Sequence, residues 1–369
     1  MKILIFTKNW LGDVLFELPA IQAVRENFPE AEITALAPER CREILAAVPF
    51  INEVRNFDER AGERSFMAKL RFIAWLRREK FDQVFLFHRS FTRAFLAWLG
   101  GIPERIGYDT PKRRWILTKP VPAPRQALHQ VDYFLVLLKW AGLRVNFGAE
   151  YQFYYKPEDA DAARRILQEN RLEPGAFVAF HVGANWEPKK WPADQFARLA
   201  DLIHKKFSFP VVLTGSLTDE STALEIREAY RKLASTSPHP SLSPSGGEGG
   251  GEGVISLCGK TSLGTLGAFY RQASFVVSSD SGPMHIASGV GTPVAALFGP
   301  TSPELTGPRW SGKKVVIQFI PQGYSIPWKG SGLPRGGWME RISAEEVFER
   351  IQKENLWLEK KEKIFSSSH

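Results

Sequence analysis

The feature that most constrains this chain is an alternation of short apolar strands with amphipathic helices, run through twice. In the first half MKILIF leads to a helix over roughly 14–28, EITALA to ERCREILAAV, and FDQVFLF to RAFLAWLG. After residue 170 the series restarts: FVAFHVG then PADQFARLADLIHKKF, PVVLTG then a helix near 219–233, VISLCG then TLGAFYRQA, FVVSSD then GPMHIASGV, and last PVAALFG. Near-continuous apolar strands separated by helices form parallel sheets covered on both faces, because each parallel connection crosses the sheet as a helix. The expected fold is α/β, with two Rossmann-like, doubly wound parallel-sheet domains facing a cleft. The boundaries read as 1–155 and 156–340, with 341–369 a C-terminal helix and tail. KPEDADAARRILQENRLEPG, 156–175, reads as a linker helix, and SAEEVFERIQKENLWLEKK as a charged amphipathic helix expected to pack back on the first domain. One segment stands outside the scheme. STSPHPSLSPSGGEGGGEG, 235–253, is Gly, Pro or Ser at 14 of its 19 positions, too polar to repay ordering, and reads as a disordered surface insertion without a catalytic part. The tail FSSSH is expected to fray.

Composition removes several function classes. No run approaches 18 apolar residues, so no membrane-spanning helix is expected, and MKILIF is too short for a signal-peptide core. Cys41 and Cys258 stand far apart, which suits neither a disulfide framework nor a metal cage, and points to the cytoplasm. The net charge is +8, and residues 60–119 hold 14 Lys/Arg against 5 Asp/Glu. Such a stretch attracts nucleic acid, an anionic membrane surface or an anionic substrate. No helix-turn-helix, RNP or finger pattern accompanies it, which disfavours nucleic acid. Phe66, Leu70, Ile73 and Ala74, with Lys69, Arg71, Arg77 and Arg78 between them, read either as a core-packed helix with a solvated basic face or as an interfacial one.

The loop after the first strand, TKNWLGD, lacks the dinucleotide pattern G-x-G-x-x-G, which disfavours a nicotinamide dehydrogenase. Its Asp13 has the wrong sign for a phosphate site and reads as a helix cap or a functional carboxylate. The strand exits of the second half carry ligand-friendly residues. FVVSS ends at Asp280, and Ser281-Gly282-Pro283 then opens a helix whose free amides suit a phosphate. Asp280 is there either an N-cap or a partner for a sugar hydroxyl, and His285, one turn on, either a core histidine or part of the site. Phe298-Gly299-Pro300-Thr301 is a second exit; HVGANWEPKKWP offers Lys189 to a phosphate; Thr214-Gly215-Ser216 with Asp219 or Glu220 offers a carboxylate to ribose hydroxyls. No metal site is expected. Asp159-Ala160-Asp161 sits where acids suit a helix start, and His129, His181 and His204 lack ligand spacing. No G-x-S-x-G elbow supports a hydrolase.

Taken together, GDVLFELPAI, RIGYD, HVGAN…KKWP, SSDSGPMHIA and FGPTSP resemble glycosyltransferase family nine, the bacterial lipopolysaccharide heptosyltransferases. The resemblance covers nearly the whole chain apart from 235–253 and the last residues. It implies a GT-B fold, with acceptor bound by the N-terminal domain and nucleotide sugar by the C-terminal one. It implies inverting transfer of heptose from ADP-heptose, a co-substrate, to Kdo or heptose of the lipopolysaccharide inner core, with no cofactor and no metal. Matched by motif, the general base falls on Asp13, the acceptor contacts on Gly12 and on Arg105 of RIGYD, and the diphosphate-binding lysine on Lys189. The donor segment falls on Asp280, Ser281 and Gly282 with His285 following, and the ribose acid on Asp219, beside Glu220. Gly12 is expected to let the backbone turn tightly at the base. The basic 60–119 stretch then fits a phosphorylated acceptor at the cytoplasmic face of an anionic inner membrane. Many relatives carry cysteines after the last strand, whereas PQGYSIPWKGSGLPRGGWME, 321–340, has none, which leaves the sugar open. The alternatives are a GT-B nucleotide-sugar epimerase or hydrolase, and a family-nine-like transferase of another sugar.

Overall fold

The computed structural model describes residues 1–59, 65–235, 253–322, 326 and 337–357. The expected disorder of the insertion and the fraying of the tail fall on 236–252 and 358–369, outside the described residues, as does most of the cysteine-free stretch 321–340. The chain divides into two compact units, Met1–Tyr154 and Tyr155–His369.

The first unit runs β1 (Lys2–Phe6), α1 (Leu11–Asn27), β2 (Glu32–Ala37), α2 (Glu39–Ala46), β3 (Glu53–Asn56), α3 (Phe66–Glu79), β4 (Gln83–Leu86), α4 (Phe91–Leu99), β5 (Glu104–Tyr108), β6 (Lys119–Val121) and α5 (Gln130–Trp140). All its strands pair in parallel, in the order β3-β2-β1-β4-β5-β6. The chain thus winds outward from β1 to β3, then crosses back to β4 beside β1. β1 is central, and Ile3 through Phe6 are wholly buried, as a strand covered on both faces must be. One face packs on α3 and α4 through Phe72, Trp75, Leu76, Ala94 and Ala97; α1 packs against α5.

The second unit runs α6 (Pro157–Glu169), β7 (Val178–His181), α7 (Ala193–Phe207), β8 (Val211–Thr214), α8 (Glu220–Ser235), β9 (Val254–Ser256), α9 (Leu263–Tyr270), β10 (Phe275–Ser279), α10 (Gly282–Gly289), β11 (Val294–Phe298), α11 (Pro303–Thr306), β12 (Lys314–Gln318) and α12 (Ala344–Lys353). Its sheet is again all parallel, ordered β12-β11-β10-β7-β8-β9. α6 is fastened to this unit: the Asp159 carboxylate closes a capping box with the Lys156 N–H (3.1 Å) and accepts from Thr265 Oγ1 of α9 (3.1 Å).

The doubly wound parallel fold read from the alternation is the one observed. Four strands escape that reading, β3 (EVRN), β5 (ERIGY), β6 (KPV) and β12 (KVVIQ); all but β5 are outer strands, and all four are short or polar. The expectation for the last helix is corrected. α12 packs on α7 within the second unit, where Ala344, Val347 and Ile351 join the core. Trp191 Nε1 donates to the Ile342 carbonyl (2.9 Å), the Ala344 N–H donates to Gln195 Oε1 (2.9 Å), and Arg198 pairs with Glu345. The apolar stripe of α12 finds its cover beside β12, the strand it follows.

Candidate functional site

In each sheet the strand order reverses beside the first strand, between β1 and β4 and between β7 and β10. Two loops that leave neighbouring strands in opposite directions open a crevice at the carboxyl ends, and ligands bind doubly wound sheets there. In the first unit this crevice is a cavity of about 290 Å³ lined by Lys8, Asn9, Trp10, Asp13, Arg40 and His88. The first five follow β1 or β2, and His88 follows β4.

Asp13 lies in the first turn of α1, which begins at Leu11, earlier than the expected 14. The helix start favours its negative charge by the dipole alone. Trp10 occupies the N-cap with no side-chain cap bond, so Asp13 is not the cap. Gly12 is the second residue of α1 and is absent from the left-handed glycines; the tight turn expected of it is an ordinary helical turn.

The loop that carries these residues is clamped by buried ionisable side chains. Glu17, one turn behind Asp13, accepts the Lys8 N–H at Oε1 (2.8 Å) and is wholly buried. Burial pushes its carboxyl well above the ordinary range, and the Asp13 charge adds to this while the Lys8 N–H opposes it. Arg93 of α4, only 1% exposed, donates to the Thr7 carbonyl and to Asn9 Oδ1 (2.6 Å) and faces Glu59 at 3.6 Å. Glu59 accepts in turn from Ser90 Oγ (2.9 Å), which caps α4. Arg40 lies over the Trp10 ring at 4.9 Å. The Cys41 thiol, pushed up to about 12 mainly by burial, stays protonated. A second buried guanidinium, Arg113, donates to the carbonyls of Tyr108 and, at 2.8 Å, of His88, joining the exits of β5 and β4. His88 Nδ1 accepts the Ser90 N–H (3.0 Å), so a neutral ring carries its proton on Nε2.

Arg105 is not brought to this cavity. It lies near the start of β5, level with Leu4, and its guanidinium donates to the carbonyls of Ile116 (2.7 Å), Pro103 (3.1 Å) and Ile102. Those bonds brace β5 against its return segment, at the end of the sheet remote from Asp13.

In the second unit, Lys189 and Asp280 meet. Lys189 ends a short 3-10 turn after β7, Asp280 follows β10, and Nζ donates to Oδ2 at 2.6 Å. Asp280 is 6% exposed, and its own N–H donates to the Leu297 carbonyl (3.0 Å). The N-cap of α10 is Ser281, whose hydroxyl lies 3.0 Å from Ser278 Oγ. This resolves the open alternative for Asp280: it does not cap the helix. Gly282 is the first helical residue, Pro283 follows where a missing N–H costs nothing, and His285 is buried at 2% exposure.

Asp219 accepts from the Ser216 N–H (2.8 Å) and Ser216 Oγ (2.5 Å), and lies across the exits of β7 and β8. It can do so because both exits end in glycine. A Cβ on Gly183 would stand 2.5 Å from Asp219 Oδ2, and one on Gly215 2.9 Å from Asp219 Cβ. Glu220 turns away and accepts from Ser256 Oγ at the end of β9 (3.0 Å). The exit of β11 is roofed: a Cβ on Gly299 would meet Met339 Sδ at 2.8 Å and Trp338 Cβ at 3.1 Å. His181 closes β7, 3.4 Å from Thr214 Oγ1 and from Tyr270 OH, and burial lowers its pKa to about 4, so it is neutral. Among the described residues no group of three or more His, Cys, Asp and Glu could hold a metal ion, and no helix is long and apolar enough to cross a membrane.

Chemically the first cavity presents one carboxylate among Lys8, Arg40 and His88, which suits removing a proton from a hydroxyl of an anionic molecule. The switch point of the second unit presents an ammonium and a helix start, which suit phosphate. The sequence reading missed Glu17, Arg93 and Arg113. For Glu17 and Arg93 a signal was present: a single ionisable residue inside an apolar run, as in VLFELPAI and FTRAFLAWL, is buried with a partner. Arg113 lies in the basic run KRRW and gives no such signal.

The family model described as glycosyltransferase family 9 (heptosyltransferase) matches residues 69–324. The chain is 28% identical over 335 residues to lipooligosaccharide heptosyltransferase 2 of Haemophilus influenzae, covering 87% of this chain and 89% of that protein. It is 26% identical over 336 residues to lipopolysaccharide heptosyltransferase 2 of Escherichia coli, covering 89% and 91%. Among solved structures, the E. coli ADP-heptose lps heptosyltransferase II superposes with a TM-score of 0.74 at 23% identity, over 96% of this chain and 98% of that one. A family 9 glycosyl transferase from Veillonella parvula superposes with a TM-score of 0.81 at 22% identity, over 96% of each.

Proposed function

The chain belongs to glycosyltransferase family 9, and from that premise we propose that this glycosyltransferase moves a heptose from ADP-heptose onto the inner core of lipopolysaccharide, inverting the sugar carbon. The observation that carries the reading is the pairing of chemistries at the two switch points. One sheet offers a lone carboxylate, Asp13, among cationic and hydrogen-bonding groups; the other offers Lys189 beside the start of α10.

In this mechanism the acceptor hydroxyl gives its proton to Asp13 as its oxygen bonds to the heptose carbon. A carboxylate is a weak base, with an ordinary pKa near 4, so the proton moves only as the new bond forms. The bond from that carbon to the ADP oxygen breaks on the opposite face, and the leaving diphosphate gains charge. Lys189 and the N–H groups at the start of α10 meet that charge, without a metal. The diphosphate competes with Asp280 for the Lys189 ammonium, so Asp280 holds the lysine aimed at its ligand and then takes a sugar hydroxyl. Asp219, turned over Gly183 and Gly215, is the ribose acid. Lys8 and Arg40 face the anionic groups of a Kdo or phosphorylated heptose acceptor. The enzyme works at the cytoplasmic face of the inner membrane.

The test incubates purified protein with ADP-heptose and truncated core acceptors and reads product masses. A mass gain of one heptose on the acceptor is expected. Consumption of ADP-heptose with no acceptor present, or transfer from another nucleotide sugar only, overturns the assignment.

A further inference from the structure

α4 is apolar on nearly every side (FTRAFLAWL), the composition of a helix either buried all round or set against lipid. It is buried on one side only. Ala94, Leu96 and Ala97 enter the core beside α3, while Phe91, Phe95 and Trp98, spaced i, i+4, i+7, line another face. Phe91 is 39% exposed and Trp98 43%; Trp115, from the turn between β5 and β6, is 65% exposed. The rings follow one another as a ladder: Phe91 stacks on Phe95 (5.6 Å), Phe95 meets Trp98 (5.6 Å), and Trp98 meets Trp115 edge-on (6.0 Å). Scattered exposed rings need no explanation, but a contiguous run of them does.

The charge around the ladder is predominantly basic, and its acids are paired: Glu59, beside the start of α4, faces Arg93 at 3.6 Å. α4 contains no acid, and α3 carries Lys69, Arg71, Arg77 and Arg78 with a single acid, Glu79, already paired with Lys2 and Arg78. Arg77 Nε donates to the Leu99 carbonyl (3.0 Å), fastening the ends of the two helices together. Exposed Lys112 and Arg114 stand just before Trp115, and the nearby acid, Asp109, is engaged by Arg114 at 3.1 Å. Rings with one polar edge settle at the boundary between headgroups and acyl chains, while Lys and Arg extend past them to anionic headgroups.

We propose that the ladder Phe91–Phe95–Trp98–Trp115, with the basic residues that flank it, is the surface on which this protein seats on an anionic lipid bilayer. α4 starts three residues after His88, so the bilayer contact begins beside the Asp13 cavity and places it within reach of a lipid-borne acceptor. That last consequence rests on the proposed function; the bilayer contact itself does not.

The experiment co-sediments the full chain, without nucleotide or acceptor, with vesicles of phosphatidylcholine alone or with one third phosphatidylglycerol. The parent should bind the anionic vesicles, lose them in high salt, and show a blue shift of tryptophan emission. The double variant Trp98→Ser/Trp115→Ser, altered only at exposed rings, should partition at least about tenfold more weakly, with an unchanged melting temperature and unchanged transfer to a deacylated, water-soluble acceptor. Lys112→Glu, which leaves the rings intact, should weaken partition about fivefold. Equal binding of the double variant and the parent overturns the proposal, as does equal binding to both lipids. A parent dimer that the variant dissolves would assign the ladder to a second copy instead. Because sedimentation uses no sugar, failure of the transferase reading leaves this result standing, and the reverse also holds.

Discussion

The two sheets reach the same topological position with different materials. At the first switch point the loop is gripped by buried ionisable side chains: Glu17 on the Lys8 N–H, Arg93 on Thr7 and Asn9, Arg113 on His88 and Tyr108. At the second, around the single ion pair Lys189–Asp280, small residues prevail: Gly183, Gly215, Ser216, Ser278 and Ser281. The guanidinium bonds are charge-assisted, directional and costly to break, so they fix the loop that leads into the Asp13 helix. Glycine and serine leave room for a close approach to the backbone, which suits the ligand-binding role proposed for the second edge. Under the proposed function the first edge supplies a base, which needs fixed geometry, and the second a diphosphate site, which needs access to backbone.

The sharpest break of this contrast removes the carboxylate alone. Asp13→Asn should lower turnover by about a thousandfold, with the ADP dissociation constant unchanged by titration calorimetry; ordinary turnover would remove the base from the mechanism. Next is the clamp. Arg93→Met leaves the Thr7 carbonyl without its donor and should cost about 3 kcal/mol in denaturant unfolding. Turnover should fall with it, again at unchanged ADP affinity, and Arg93→Lys should restore little because it lacks the planar fork. If ADP binding weakens instead, the two edges are not separate devices. Lys189→Ala acts from the other side: losing one charged contact of about 2 kcal/mol should weaken ADP binding roughly thirtyfold. An unchanged dissociation constant takes this lysine out of the donor site.

The smallest effects are on pH, and they have opposite signs in the two units. Glu17 has a folded pKa raised by burial, so its contribution is complete below the ordinary carboxylate value and is lost as pH rises through the raised one. His181 is lowered to about 4, so its contribution is present above its ordinary value and is lost as pH falls toward 4. Glu17→Gln should therefore flatten the alkaline side of the stability profile and His181→Gln the acid side, each by at most about 1.4 kcal/mol per pH unit, the slope one proton allows. Parallel profiles for parent and variants, followed by circular dichroism, would remove this distinction.

Much of the fold was legible because a strand covered on both faces must be apolar throughout. MKILIF, FVAFHVG and FVVSSD announce themselves as central strands, and those are the strands whose exits carry the candidate site. β3, β6 and β12 did not, because an outer strand needs less apolar cover and KPV can place a proline there. β5 is internal, yet ERIGY opens with two charged residues, one of which, Arg105, is engaged by carbonyls around the strand. Lys189 and Asp280 were both matched to the donor site, but their direct contact was not legible, since 91 residues separate its ends.

What the sequence by itself determined is the repeated alternation, hence two doubly wound sheets, and the residue types at the strand exits, because period and burial follow from local chemistry. What only the tertiary structure decided is which of those residues meet. It turned Arg105 into a brace, freed Asp280 from capping, laid Asp219 over two glycines and sent the last helix to the second unit. These outcomes depend on strand order and on which carbonyls, amides and apolar stripes lack partners once the sheet is assembled, and long-range pairing of that kind leaves no periodic trace in the chain.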